Sequence, residues 1–167
     1  MKKRNSEYKF TDVSLNHKQY KKSFDQTSEL IAVCTQSDLF QDTLNDKVRD
    51  GVLRKCNKYN NKNYLFLTKY AENMQRYFND DSRLDILNNN HFNEFSFNNM
   101  MFGVTVCVND DMKRVDFLSK TKMIKYRFIA FEPIYEKINV DANMLENIDW
   151  IIIGCETGDD NPHRFDL

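Results

Sequence analysis

The chain has no two cysteines at ligand spacing, no long apolar run and almost no net charge, and each absence removes a class of protein. Cys34, Cys56, Cys107 and Cys155 are scattered through 167 residues without a CxxC or CxxxCxxC pattern, which sets aside a local zinc or iron-sulfur site. Cys34, Cys107 and Cys155 fall inside or at the ends of apolar strand candidates, where a small buried thiol is ordinary core. No run approaches the roughly 18 apolar residues of a membrane span, and Met1-Lys2-Lys3-Arg4-Asn5 has no apolar stretch behind it as a secretory signal would. A soluble protein with reduced thiols in the cytoplasm is therefore expected. The three histidines, His17, His91 and His163, stand in unrelated loops without partner spacing, so no metal and no cofactor is expected.

What is present is unevenly distributed. Residues 1–22 hold seven Lys/Arg against two acids, leaving 17 basic residues against 23 acidic ones in the remainder. A basic segment over 1–29 is expected to precede a single domain over 30–167, a length that supports one hydrophobic core and not two. The basic segment reads either as a solvated start or as an electrostatic arm for nucleic acid or an acidic partner surface.

Strand and helix signals alternate from Leu30 onward. Leu30 to Thr35 is the first strand, and Leu44, Val48, Val52 and Cys56 recur at four-residue steps, so Thr43 to Asn57 is an amphipathic helix capped by Asp42 or Thr43. Tyr64 to Thr68 is the second strand and Ala71 to Phe78 a short helix with Met74, Tyr77 and Phe78 on one face; Leu84 and Leu87 mark a further helix turn. Met100 to Val108 is the third strand, Asp110 to Lys120 a helix, Tyr126 to Phe131 the fourth strand, stopped by Pro133, and Asp141 to Asn147 a short helix. The last strand lies in Asp149 to Gly158, where an apolar run turns abruptly into a glycine-flanked acidic turn. Such a run reads as a strand buried on both faces, with Trp150 as a core anchor. The alternation predicts an α/β fold of about five mostly parallel strands, an open, partial TIM-like barrel with too few strands to close.

In a parallel sheet the C-terminal strand ends meet on one rim. Here they carry Thr35, Ser37 and Asp38, then Thr68 and Lys69, Thr105, Glu132, and finally Glu156 with Thr157. Asp38, Lys69, Glu132 and Glu156 are the candidate acid/base or ligand-binding residues if burial shifts their protonation. The alternative is that they are the caps and loop hydrogen-bonders that strand ends ordinarily carry.

Five segments, in order, resemble the three-Cys-motif phage proteins, regarded as relatives of the radical SAM enzymes. Gln36-Ser-Asp-Leu-Phe40 is similar to that family's Ser-Asp-Leu-Phe, and Leu67-Thr-Lys-Tyr-Ala-Glu-Asn-Met74 to its Leu-Thr-Lys-Arg-Pro-Glu-x-Met. Gly103-Val-Thr-Val106 resembles Gly-Val-Ser-Val, Arg127-Phe-Ile-Ala-Phe-Glu-Pro133 resembles Arg-Phe-x-Ser-x-Glu-Pro, and Asp149 to Gly158 resembles Asp-Trp-Val-Ile-x-Gly-Gly-Glu-Ser-Gly. The resemblance runs from about Phe10 to Arg164. It implies a partial barrel in which Glu156 holds an inherited acidic position and Cys155 replaces the second glycine of the motif.

The resemblance also implies a loss. The family carries its three cluster-binding cysteines in a segment that would end about where this chain starts, and it continues past the point where this chain stops. The expectation is a phage-encoded, non-catalytic protein that binds a host protein. Its most concrete form is an anti-CRISPR-like inhibitor of a bacterial defence nuclease. Exposed strand edges would take that partner or a second copy of the chain. The acid pairs Asp80-Asp81, Asp110-Asp111 and Asp159-Asp160 are either phosphate mimics for a basic channel or solvated loops. The alternative is a residual small-molecule-binding enzyme that uses the strand-end acids.

Overall fold

Five short apolar segments, each closed by a turn and separated by helical repeats, leave the backbone one economical way to pair: side by side, in sequence order, all pointing the same way. The computed structural model, which describes residues 21, 23–25, 28–88 and 95–154, has this arrangement. Strands β1 (Leu30–Val33), β2 (Asn63–Thr68), β3 (Met100–Thr105), β4 (Tyr126–Phe131) and β5 (Trp150–Ile153) form one parallel sheet in the order β1-β2-β3-β4-β5. The sheet curls into a half-barrel, as the alternation of strand and helix signals predicts.

The helices are α1 (Asp46–Lys58), α2 (Ala71–Phe78), α3 (Arg83–Asn88) and α4 (Lys113–Ser119), the last preceded by a 3₁₀ turn at Asn109–Met112; a second 3₁₀ turn, Ala142–Leu145, lies before β5. They pack on one face of the sheet. Strand periodicity sends Tyr64, Phe66, Phe102, Val104 and Ile129 to that face, where all are buried against Leu53, Met74, Phe78, Val115 and Leu118. Phe102 is the centre of an aromatic cluster, with ring centroids 4.8 Å from Phe66 and 4.8 Å from Phe78. Such pairs add to the area they bury.

Around this core runs a charged clamp. Buried Arg83 reaches Asp50 at 3.3 Å, Asp46 at 3.1 Å and Asp80 at 2.9 Å, and lies 4.3 Å over the Tyr77 ring. The Tyr77 hydroxyl donates to Asp50 at 2.6 Å. Buried Asp50 thus has a cation and a phenol, and α1, α2 and α3 are tied together by groups that burial alone would penalise.

Several boundaries differ from expectation for local reasons. β1 ends at Val33 because Cys34 takes a left-handed backbone (φ 60°) and its carbonyl accepts from Ser37 N–H at 3.1 Å, placing Thr35 in the turn. Helix α1 is capped by Asn45, which accepts from Val48 N–H at 3.1 Å, rather than by Asp42 or Thr43. Leu44 N–H bonds to Gln41 O at 3.1 Å, so a separate turn occupies those positions, and Asp42 accepts instead from Asn73 at 2.6 Å. The helix expected over 110–120 is divided where the Asp111 carboxylate accepts from Cys107 N–H at 2.9 Å and winds the first turn tightly.

The largest correction concerns β5. It is not buried on both faces: Ile153 is 71% exposed, Trp150 42% and Ile151 38%. Among the described residues it is the edge strand of the sheet and pairs with β4. Trp150 is not a core anchor; its ring lies 6.2 Å from Phe128 on the concave face.

Candidate functional site

Along each strand, the residues that do not face the helices line the concave side. Leu65 and Leu67 of β2, Phe128 of β4 and Ile152 of β5 form the floor of a cavity of about 530 Å³ there. Gly103 makes this floor possible. A Cβ at that position would lie 2.5 Å from the Phe128 ring, so only glycine lets the ring lie across β3. The rim of the cavity is built from the C-terminal strand ends, including Thr35, Asp38, Lys69 and Thr105.

Asp38 is held by three donors. Thr68 Oγ1 donates to Oδ1 at 2.7 Å, Phe40 N–H to Oδ1 at 2.9 Å and Lys69 N–H to Oδ2 at 2.8 Å. The buried Thr68 hydroxyl in turn accepts from Tyr70 N–H at 2.8 Å. Asp38 therefore staples the loop after β1 to the end of β2, the part that a strand-end hydrogen-bonder ordinarily plays.

Lys69 is exposed and its ammonium makes no ion pair among the described residues. It lines both the cavity and an adjoining groove of about 250 Å³ between α2 and α4, where Lys113, Arg114, Asp42 and Glu72 also stand. Arg114 is engaged, donating to Thr105 O at 2.7 Å and pairing with Asp111 at 2.8 Å.

Glu132 is exposed at the end of β4 and does not line the cavity. Its carboxyl carbon lies 2.8 Å from where a Gly154 Cβ would sit, so Gly154 gives this side chain its place. Glu156 and Thr157, with Cys155, lie outside the described residues. The structure thus brings Asp38, Lys69 and Thr105 to one cavity and leaves Glu132 out of its lining.

The thiols are not activated. Burial pushes Cys34 up, against a hydrogen bond with Ser37, and nearby Asp38 adds to the rise. Burial also raises Cys107, with Asp111 adding to the rise and Lys69 opposing it. Burial takes Cys56 to about 12. None is a thiolate at neutral pH. No group of three or more metal-ligating side chains occurs among the described residues, and Cys34, Cys56 and Cys107 form no disulfide. No helix among the described residues is long and apolar enough to cross a membrane.

Sequence reasoning missed the cavity floor and the groove. The signal for the first was Gly103 inside a strand, which marks close approach of another group. The groove had none, since Lys113 and Arg114 read as the solvated side of a helix.

An open α/β half-barrel, helix-clad on its outer face and with a cavity at the C-terminal rim, defines the class of this protein. Within it, the chain belongs to DUF5131, a family of proteins of unknown function whose model matches residues 1–164. Comparison with curated proteins and with solved structures finds no match.

Proposed function

We propose that this protein acts by binding another protein along β5, and that it does so as a non-catalytic inhibitor. The observation that carries the reading is that β5 is apolar on both faces and not fully covered on either by the described residues. Trp150 and Ile152 face the concave side, Ile151 and Ile153 the helical side, and Ile153 is 71% exposed. An ordinary solvent-facing edge strand is blunted by lysine, proline or a bulge, and Trp150–Ile153 has none of these. A partner strand laid beside β5 would pair the backbone groups that no described strand pairs and bury these side chains, each worth about 1.5–3 kcal/mol when fully removed from water.

The strand-end residues support a binding role over an acid/base one, because Asp38 is committed to three hydrogen bonds and Glu132 stands outside the cavity. The resemblance to three-Cys-motif phage proteins supports a phage setting. There the concrete partner is a host defence nuclease such as a CRISPR effector. Phosphate mimicry by the acid pairs adds less: Asp80 is paired with Arg83 and Asp111 with Arg114, leaving Asp81 and Asp110 as the exposed members. Asp159-Asp160 lie outside the described residues.

The test is DNA cleavage by purified CRISPR nucleases with the chain added in increasing amounts. Loss of cleavage at near-stoichiometric ratios is expected, relieved by Ile153→Lys. Undiminished cleavage by every nuclease at about tenfold excess, well above a micromolar affinity, overturns the nuclease reading. Equal inhibition by Ile153→Lys overturns the role of β5.

A further inference from the structure

A second binding feature, independent of β5 as a protein edge, lies in the charge balance of the concave cavity. Its volume, about 530 Å³, falls within the range of roughly 300–1,000 Å³ typical of small-molecule sites. Its floor of Leu65, Leu67, Phe128 and Ile152 offers apolar contact and no hydrogen bond. Among the described residues two charged side chains line it, Asp38 and Lys69. Both Asp38 oxygens already accept, from Thr68, Phe40 and Lys69 N–H, so the hydrogen-bonding capacity of this carboxylate is met by neutral groups of the protein. Lys69 has no partner of opposite charge among the described residues. What the described residues offer an entering molecule is therefore one ammonium with free donors, above an apolar floor.

We infer that the cavity binds a small organic monoanion with an apolar body, a medium-chain or aromatic carboxylate, whose charge meets Lys69 and whose body lies over the partly exposed Leu65 and Leu67. The count of free donors sets the class. A phosphomonoester dianion is ordinarily met by several donors or by arginine forks, and Lys113 and Arg114 stand in the adjoining groove, with Arg114 engaged by Asp111 and with Asp42 and Glu72 in the same lining. A neutral apolar molecule would leave the ammonium unanswered. A monocarboxylate satisfies both parts of the site.

The protein supplies its own reporter. Trp150 is the single tryptophan of the chain, and its ring lies 6.2 Å from Phe128 at the cavity floor. Octanoate, octan-1-ol, which has the same body without the charge, and adenosine monophosphate are titrated into the full chain, with Trp150 fluorescence and heat as readouts. Octanoate is expected to bind with a sub-millimolar Kd, and octan-1-ol about tenfold or more weakly, the factor a charge-assisted hydrogen bond contributes.

Lys69→Gln should weaken octanoate by about tenfold and leave octan-1-ol unchanged, while Lys69→Arg keeps most of the affinity. Leu67→Glu, which puts a carboxylate on the floor, should abolish both. Thermal unfolding of each variant confirms that the fold is intact. The inference is overturned if octanoate produces neither heat nor a fluorescence change, if Lys69→Gln binds it like the parent, or if adenosine monophosphate binds more tightly. Ile153→Lys should bind octanoate normally, so this site and the protein-binding edge succeed or fail separately.

Discussion

The two faces of the sheet are built from similar residues and treated in opposite ways. On the helical face, Phe66, Phe102 and Ile129 are at most 1% exposed and sit within a continuous core. On the concave face and at the β5 edge, Leu67 is 40% exposed, Trp150 42% and Ile153 71%. Hydrophobic composition alone does not separate these positions, and the concave face is itself mixed, since Phe128 and Ala130 there are 1% exposed. The difference teaches that the aromatic core is concentrated on the helical side, while Leu67 and the β5 side chains stay exposed.

The comparison is broken most easily from the helical side. Phe102→Ala removes the centre of the aromatic cluster and should cost about 3–5 kcal/mol of unfolding free energy in urea, whereas Leu67→Ala on the concave face should cost under about 1 kcal/mol. Equal losses would show that the two faces carry stability alike.

The clamp comes next. Arg83→Met leaves Asp50, which is 5% exposed, without its cation, and removal of one partner from a buried pair predicts a loss of about 3 kcal/mol by the same measurement. A loss below about 1 kcal/mol would mean that the Tyr77 hydroxyl alone satisfies Asp50.

High pH sharpens the contrast by a different route. Burial raises Cys56 from 9.0 to about 12. Between those values the unfolded chain has released this proton and the folded chain has kept it, so the unfolded state binds fewer protons and stability falls as pH rises. The slope from this group approaches about 1.4 kcal/mol per pH unit, and buried Tyr64 and Tyr77, also raised, extend the fall to higher pH. Cys56→Ala should flatten the slope between pH 9 and about 12. Asp38→Asn, which loses the charge of the loop staple, should cost about 1 kcal/mol by urea unfolding and loosen the rim without disturbing the core.

How much of this was legible in the sequence follows the same division. Periodicity located all five strands and the long helix, because burial of one face by helices imposes a pattern on the residues themselves. It placed Asp38, Lys69 and Thr105 on one rim for the same reason, since parallel strands share their ends. It could not show that Asp38 is consumed by Thr68 and two backbone amides, because those partners come from a neighbouring strand end and a loop turn.

The misreading of β5 is the most informative. Trp150-Ile-Ile-Ile153 has the composition of a strand covered on both sides, and the pattern records what the residues prefer, not whether this chain supplies the cover. The cap of α1 was missed on a smaller scale: Asp42 and Asn45 both suit the position, and a turn between Gln41 and Leu44 decided between them.

The division of labour between the faces is tested most directly by the unfolding free energy of Ile153→Lys. If β5 is apolar for a partner and not for this chain's own core, the lysine should cost no more than about 0.5 kcal/mol, the range of surface substitutions. A loss of about 2 kcal/mol or more, the signature of a buried side chain, would contradict the account.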